Sequence, residues 1–253
     1  MSAHIQNMAT GAVSPAAGNG LPASSVYLEN GAFFENFAKG IPSAHWYLMR
    51  ARWGQGNHGV LPENAACTAD GILVLTARGD HYTGDFNGGN GQRTGAVLTS
   101  RRRFGPGSFE VRMKVLPEMG ACSAIWTYYN DGVRNHEIDI ELPGNTRNFE
   151  GVLCTNWLTE QEYASQYVPS PSAYNDGKWH TYRFDWHTDP RRVDYAVDGK
   201  TVLSVDHHIP TAAGLFNVGV WFPWEWCGEP DFDTAQMLVD WIRYEPYDEP
   251  YEP

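Results

Sequence analysis

The sequence lacks any apolar run long enough to cross a bilayer, and its first twenty residues lack the basic start and hydrophobic stretch of a signal peptide. The expectation is a chain with no membrane partner, whose signal has been removed or which uses another export route. Positive charge is scarce: 18 Lys and Arg stand against 30 Asp and Glu, a net charge of −12. A duplex binder needs clustered cations to displace counterions, so nucleic acid is not an expected partner and a neutral ligand suits the chain better. The one basic run, Arg101-Arg102-Arg103, reads as a solvated strand edge. Cysteine is sparse too. Cys67, Cys122, Cys154 and Cys227 are far apart and form no C-x-x-C pair, which excludes the usual zinc and dithiol motifs. They allow two disulfides in any of three connectivities, or buried thiols, so the redox compartment stays open.

Aromatic residues are abundant, at 13% with ten Trp, in a chain of 42% hydrophobic and 19% charged residues. That composition describes a folded globular protein with a large core. Short runs that alternate or are apolar recur along 71–77, 95–100, 108–115, 121–129, 136–142, 151–157, 180–186, 192–197, 201–205, 215–221 and 237–244, with a weaker early strand at 32–37. Gly-rich turns separate them, and no comparable amphipathic helical pattern intervenes. The expected fold class is all-β, a sandwich of two antiparallel sheets. Residues 1–24, rich in Ala, Gly, Ser and Pro, read as a flexible arm; 25–245 form a single domain; 246–253, with repeated Pro and acids, read as a tail.

The informative stretch is Asn135-His136-Glu137-Ile138-Asp139-Ile140-Glu141-Leu142-Pro143-Gly144. The i, i+4 spacing of the two Glu residues would join them on a helix, but two Ile residues and the Pro-Gly stop favour a strand. On a strand, side chains alternate, so Glu137, Asp139 and Glu141 share one face and His136, Ile138, Ile140 and Leu142 the other. Three like charges in a row repel, and at least one must hold its proton to higher pH than a free acid. Such a row can supply the nucleophile and the acid/base of glycoside hydrolysis with retention. The alternatives are a solvated charged strand and a Ca²⁺-binding row. His136-Glu137 is no zincin motif, since no second His follows, and neither a G-x-S-x-G elbow nor a dinucleotide loop is present.

Glu137-Ile138-Asp139-Ile140-Glu141 resembles the E-x-D-x-E signature of glycoside hydrolase family 16. The resemblance extends in order to 104–114, to Trp179-His180-Thr181-Tyr182-Arg183-Phe184-Asp185-Trp186, to Tyr195-Ala196-Val197-Asp198-Gly199 and to Val239-Asp240-Trp241-Ile242-Arg243-Tyr244. It implies a concanavalin-like β-jelly-roll with a concave substrate cleft. It further implies a retaining endo-acting β-glycoside hydrolase with Glu137 as nucleophile, Asp139 as its orienting partner and Glu141 as acid/base.

The implied substrate is a polysaccharide, first a β-1,3-1,4-glucan, because the signature is the short form, or another β-glucan. An endo-β-galactosidase or galactanase is the alternative within the family, because Gly219 stands near an expected Asn and Trp224-Glu225-Trp226-Cys227 has no counterpart. A non-catalytic carbohydrate-binding module is the alternative of another class. No cofactor is implied for catalysis. Asp240 resembles a residue that holds a structural Ca²⁺ with backbone carbonyls, or else it is a hydrogen-bonding Asp near a sheet edge.

Sugar rings present apolar faces, so cleft aromatics are the expected platforms. Trp126, Trp157, Trp221, Trp224 and Trp226 are the candidates, with Asn156 and Arg93 as polar partners. Trp179, Trp186 and Trp241 read as core, and His136 as structural. The chain is expected to be a monomer, and its substrate places it outside the cell, at the cell surface or in the periplasm.

Overall fold

The computed structural model describes residues 21–54, 58–84, 92–144, 151–169 and 176–253; all but the last four residues of the expected arm lie outside this set. The described chain is nearly all strand, with 17 strands joined in one hydrogen-bonded network. Two antiparallel layers make up most of it. In the first, Tyr163–Pro169, Gly151–Trp157, Asn135–Pro143, Cys122–Asn130, Gly214–Trp221, Thr94–Phe104 and Trp46–Leu48 lie side by side. In the second, Lys200–Val205, Arg191–Val197, His180–Thr188, Gly107–Lys114 and Thr234–Pro246 follow in order. Phe33–Glu35 and Leu73–Arg78 flank the two ends of the long last strand.

The alternation seen in the sequence is what allows two layers to bury one face each. From the first layer Ile138, Ile140 and Phe216 point inward, and from the second Phe109, Phe184 and Tyr182, all fully buried. Phe109 stacks on Phe184 at 4.8 Å between ring centres and meets Phe216 at 5.1 Å, so one aromatic cluster bridges the layers. Each such side chain contributes about 1.5–3 kcal/mol by burial. This fixes the orientation of the acidic strand, because a one-residue slip would drive Glu137, Asp139 and Glu141 into the core.

One corner links the layers, and two features depart from the sequence reading. The Gly-Pro-Gly corner after Phe104 joins strands that do not pair with each other: Thr94–Phe104 belongs to the first layer and Gly107–Lys114 to the second. A Cβ on Gly107 would lie 2.5 Å from the carbonyl oxygen of Glu245, so this close crossing requires glycine. Tyr163–Pro169 forms an edge strand that its mostly solvent-facing sequence does not announce. The acidic C-terminal segment, expected as a tail, is pinned. Glu249 accepts hydrogen bonds from the Thr188 amide at 2.6 Å and pairs with His187 at 2.8 Å, while Glu252 pairs with Arg134.

Candidate active site

Asn135–Pro143 lies between Cys122–Asn130 and Gly151–Trp157, and its outward row forms the floor of a cleft of about 600 Å³. Register sets the neighbours of each acid. Glu137 faces Tyr128 and Trp157, Asp139 faces Trp126 and Thr155, and Glu141 faces Ala124 and Leu153. Residues paired across a sheet share a face, so Trp126, Tyr128 and Trp157 rise beside the acids. Trp221 and Trp226 add a wall, and Met49, Ala51, Arg52 and Trp53 another.

The acids are held by specific donors. Trp157 Nε1 donates to Asp139 Oδ2 at 2.9 Å, and Asn135 Nδ2 to Glu137 Oε2 at 3.5 Å. Asp139 and Glu137 share a hydrogen bond that lowers the proton affinity of Glu137 and raises that of Asp139, so Asp139 is its donor. Trp221 hydrogen-bonds Glu141. Loss of water around the row outweighs these donors. Burial pushes Glu137 up to about 7 against the Asp139 and Asn135 hydrogen bonds. Glu141 is pushed up to about 8, first by burial and then by the charge of Glu137. Asp139 is raised by burial and by the charges of both neighbours. Between the two glutamates' values one is ionised while the other keeps its proton, which is the division of labour a nucleophile and an acid require.

The other expected site residues divide. Trp126, Trp157, Trp221 and Trp226 line the cleft. The backbone of Trp224 lies in a short helix, Trp224–Cys227, and its side chain is outside the described set. Asn156 is a correction. Its register partner is Ile138, so it points into the core, fully buried, where its amide oxygen accepts from Tyr195 Oη. Arg93 is another: it does not line the cleft but clamps Asp80 at 2.7 Å and also pairs with Glu229, holding the segment behind the helix. Trp179 is half-exposed rather than core, with the Arg112 guanidinium 5.0 Å and Lys114 Nζ 5.1 Å from its ring centre. Trp186 and Trp241 are buried. His136 is structural, its Nδ1 accepting the Ala212 amide at 3.2 Å.

Asp240 lies on the other layer, at a bulge where Val239 pairs with Met113 and Trp241 with Arg112. Its carboxylate is ion-paired with Arg112. A guanidinium thus already neutralises the one carboxylate expected to hold a structural Ca²⁺. Among the described residues no cluster of three or more His, Cys, Asp or Glu side chains could hold a metal.

Sequence reasoning missed Trp53, Arg52 and Tyr128. Tyr128 was readable, since it lies two residues from Trp126 on the same strand face. Trp53 and Arg52 come from an irregular segment, and no periodicity signals which way they point.

The family model for glycosyl hydrolases family 16 matches residues 54–243, about three quarters of the chain. The chain belongs to that family. A β-glucanase of Acetivibrio thermocellus is 29% identical over 224 residues, covering 85% of this chain; the chain spans 62% of that relative's length. A prokaryotic β-1,3-1,4-glucanase (lichenase) from a mouse hindgut metagenome superimposes with a TM-score of 0.70 at 26% identity, over 85% of this chain and 99% of the other. The Bacillus licheniformis β-glucanase gives 0.69 at 22% identity, over 87% and 100%, a likeness of fold. The family-16 jelly-roll is therefore the fold of this chain.

Proposed function

We propose that this family-16 chain is a retaining endo-β-glucanase, with a mixed β-1,3-1,4-glucan as the first substrate. The observation that carries the reading is the row Glu137, Asp139, Glu141 at the floor of a tryptophan-lined cleft, its two glutamates raised to about 7 and about 8. The names of the relatives favour a glucan over the galactan alternative. A binding module has no use for buried, mutually repelling acids, whose cost must be offset by stability elsewhere.

The proposed steps use the acid row and the cleft tryptophans. Trp126, Trp157, Trp221 and Trp226 offer flat apolar faces to successive pyranose rings. Glu137 in its ionised form attacks the anomeric carbon, while Glu141 gives its proton to the departing glycosidic oxygen. Asp139, fixed by the Trp157 indole, donates to Glu137 and keeps it oriented and ionised. Glu141, now ionised, then takes a proton from water as that water displaces Glu137 from the glycosyl ester, and the β-configuration is restored.

Digestion of barley β-glucan, laminarin, agarose and a β-1,4-galactan, with product masses read by mass spectrometry, tests the reading. Short oligosaccharides from barley β-glucan are expected, with none from the galactans. Galactan products, or glucan cleavage that persists in both Glu137→Ala and Glu141→Gln, would overturn it.

A further inference from the structure

The cleft wall that Trp226 supplies carries a feature that hydrolysis does not use. Cys122 begins the strand beside the acidic one, with Trp221 and Pro143 as its register partners. Cys227 ends the helix Trp224–Cys227 that presents Trp226 to the cleft. Both residues are fully buried, and their side chains are hydrogen-bond partners. The backbones are tied at the same place, since the Gly120 amide donates to the Cys227 carbonyl at 2.8 Å. All four cysteines are thiols in the structure.

We propose that Cys122 and Cys227 are a cross-linking site, a disulfide that fastens the Trp226-bearing wall to the strand next to the acid row. The chemistry balances with a low-molecular-weight disulfide as oxidant. One cysteine thiolate attacks it, forming a mixed disulfide and releasing one thiol. The second cysteine displaces the other thiol, so two protein thiols are oxidised and one small disulfide is reduced to two thiols. Burial and the Cys227 neighbour raise the Cys122 thiol well above its ordinary value, which makes the thiolate scarce once the wall is closed. The bond therefore forms while the chain folds in an oxidising compartment, and closure then protects it.

Its place explains why it matters. Trp226 meets Trp221 edge-on at 6.4 Å, and Trp221 hydrogen-bonds Glu141, so the wall and the acid form one contact chain. On the far side of the helix Glu229 pairs with Arg93, and the cross-link would hold the near side.

The test is oxidative refolding of the full chain with reduced and oxidised glutathione, followed by peptide mapping without reduction. The expected result is a linked peptide pair containing Cys122 and Cys227, with Cys67 and Cys154 open to alkylation after denaturation. The oxidised protein should melt at least about 5 °C above the dithiothreitol-treated one, and the Cys122→Ser/Cys227→Ser double variant should not respond to dithiothreitol. Four alkylatable thiols, a link through Cys67 or Cys154, or a dithiothreitol response retained by the double variant would overturn the proposal. The peptide map needs no variant to fold and no substrate, so its outcome is independent of the glucanase reading.

Discussion

Replacing Trp157 by Phe isolates one hydrogen bond of the acid row. The indole Nε1 of Trp157 donates to Asp139 Oδ2 at 2.9 Å, and Asp139 in turn donates to Glu137. Phe keeps an aromatic ring where Trp157 stacks on Tyr163 at 4.4 Å, so the platform for a sugar ring survives. What is lost is a donor to a buried carboxyl, worth about 1–2 kcal/mol once the unpaired oxygen is counted. If that energy is felt in the transition state, kcat/KM on barley β-glucan falls about 5- to 30-fold, mostly through kcat. A second consequence has a definite sign. With Asp139 freed to turn, its hydrogen bond to Glu137 weakens, Glu137 holds its proton more tightly, and the acid limb of the pH–rate profile moves to higher pH. Steady-state kinetics across the pH range measures both. A variant with kcat/KM within about twofold of the parent and an unmoved acid limb would refute the reasoning.

The remaining predictions concern the same row and its surroundings. The parent enzyme should show a narrow bell in kcat/KM, falling below about 7 as Glu137 gains a proton and above about 8 as Glu141 loses one. Because Glu141 binds its proton more tightly folded than unfolded, its ionisation costs stability progressively as pH rises from about 4.5 to about 8. Glu141→Gln removes that cost. Its stability should match the parent's near pH 4 and exceed it at pH 9 by up to about 5 kcal/mol, which is up to roughly 10–20 °C in melting temperature; a gap that shrinks with pH would contradict the shift. Since Arg112 neutralises Asp240, EDTA should leave the melting temperature unchanged. A drop of more than about 5 °C, restored by Ca²⁺, would show a bound structural ion and contradict this expectation.

The acidic strand was legible because a period-two pattern with Ile138 and Ile140 inside leaves the three acids nowhere else to go. The same rule, applied to neighbours, separates Asn156 from Trp157. Adjacent strand residues face opposite ways, so the two could not both line the cleft, and the buried Tyr195 partner explains the Asn. Arg93 was illegible for another reason: its partners Asp80 and Glu229 are distant in sequence, and only folding brings them together. The pinned C-terminal segment follows the same logic, its acids finding His187 and Arg134 across the fold. Trp53 reaches Trp221 at 5.9 Å from a segment with no repeating pattern, so neither propensity nor alternation points to it.

The central claim is that Glu137 attacks the sugar and Glu141 handles the proton. The most direct test adds azide to Glu137→Ala in the presence of an activated β-glucan oligosaccharide and reads the product anomer by NMR. With the nucleophile gone, azide can enter from the vacated side, and the account predicts an α-glycosyl azide. A β-glycosyl azide would mean that another group still forms the covalent intermediate, and the assignment of Glu137 would be wrong.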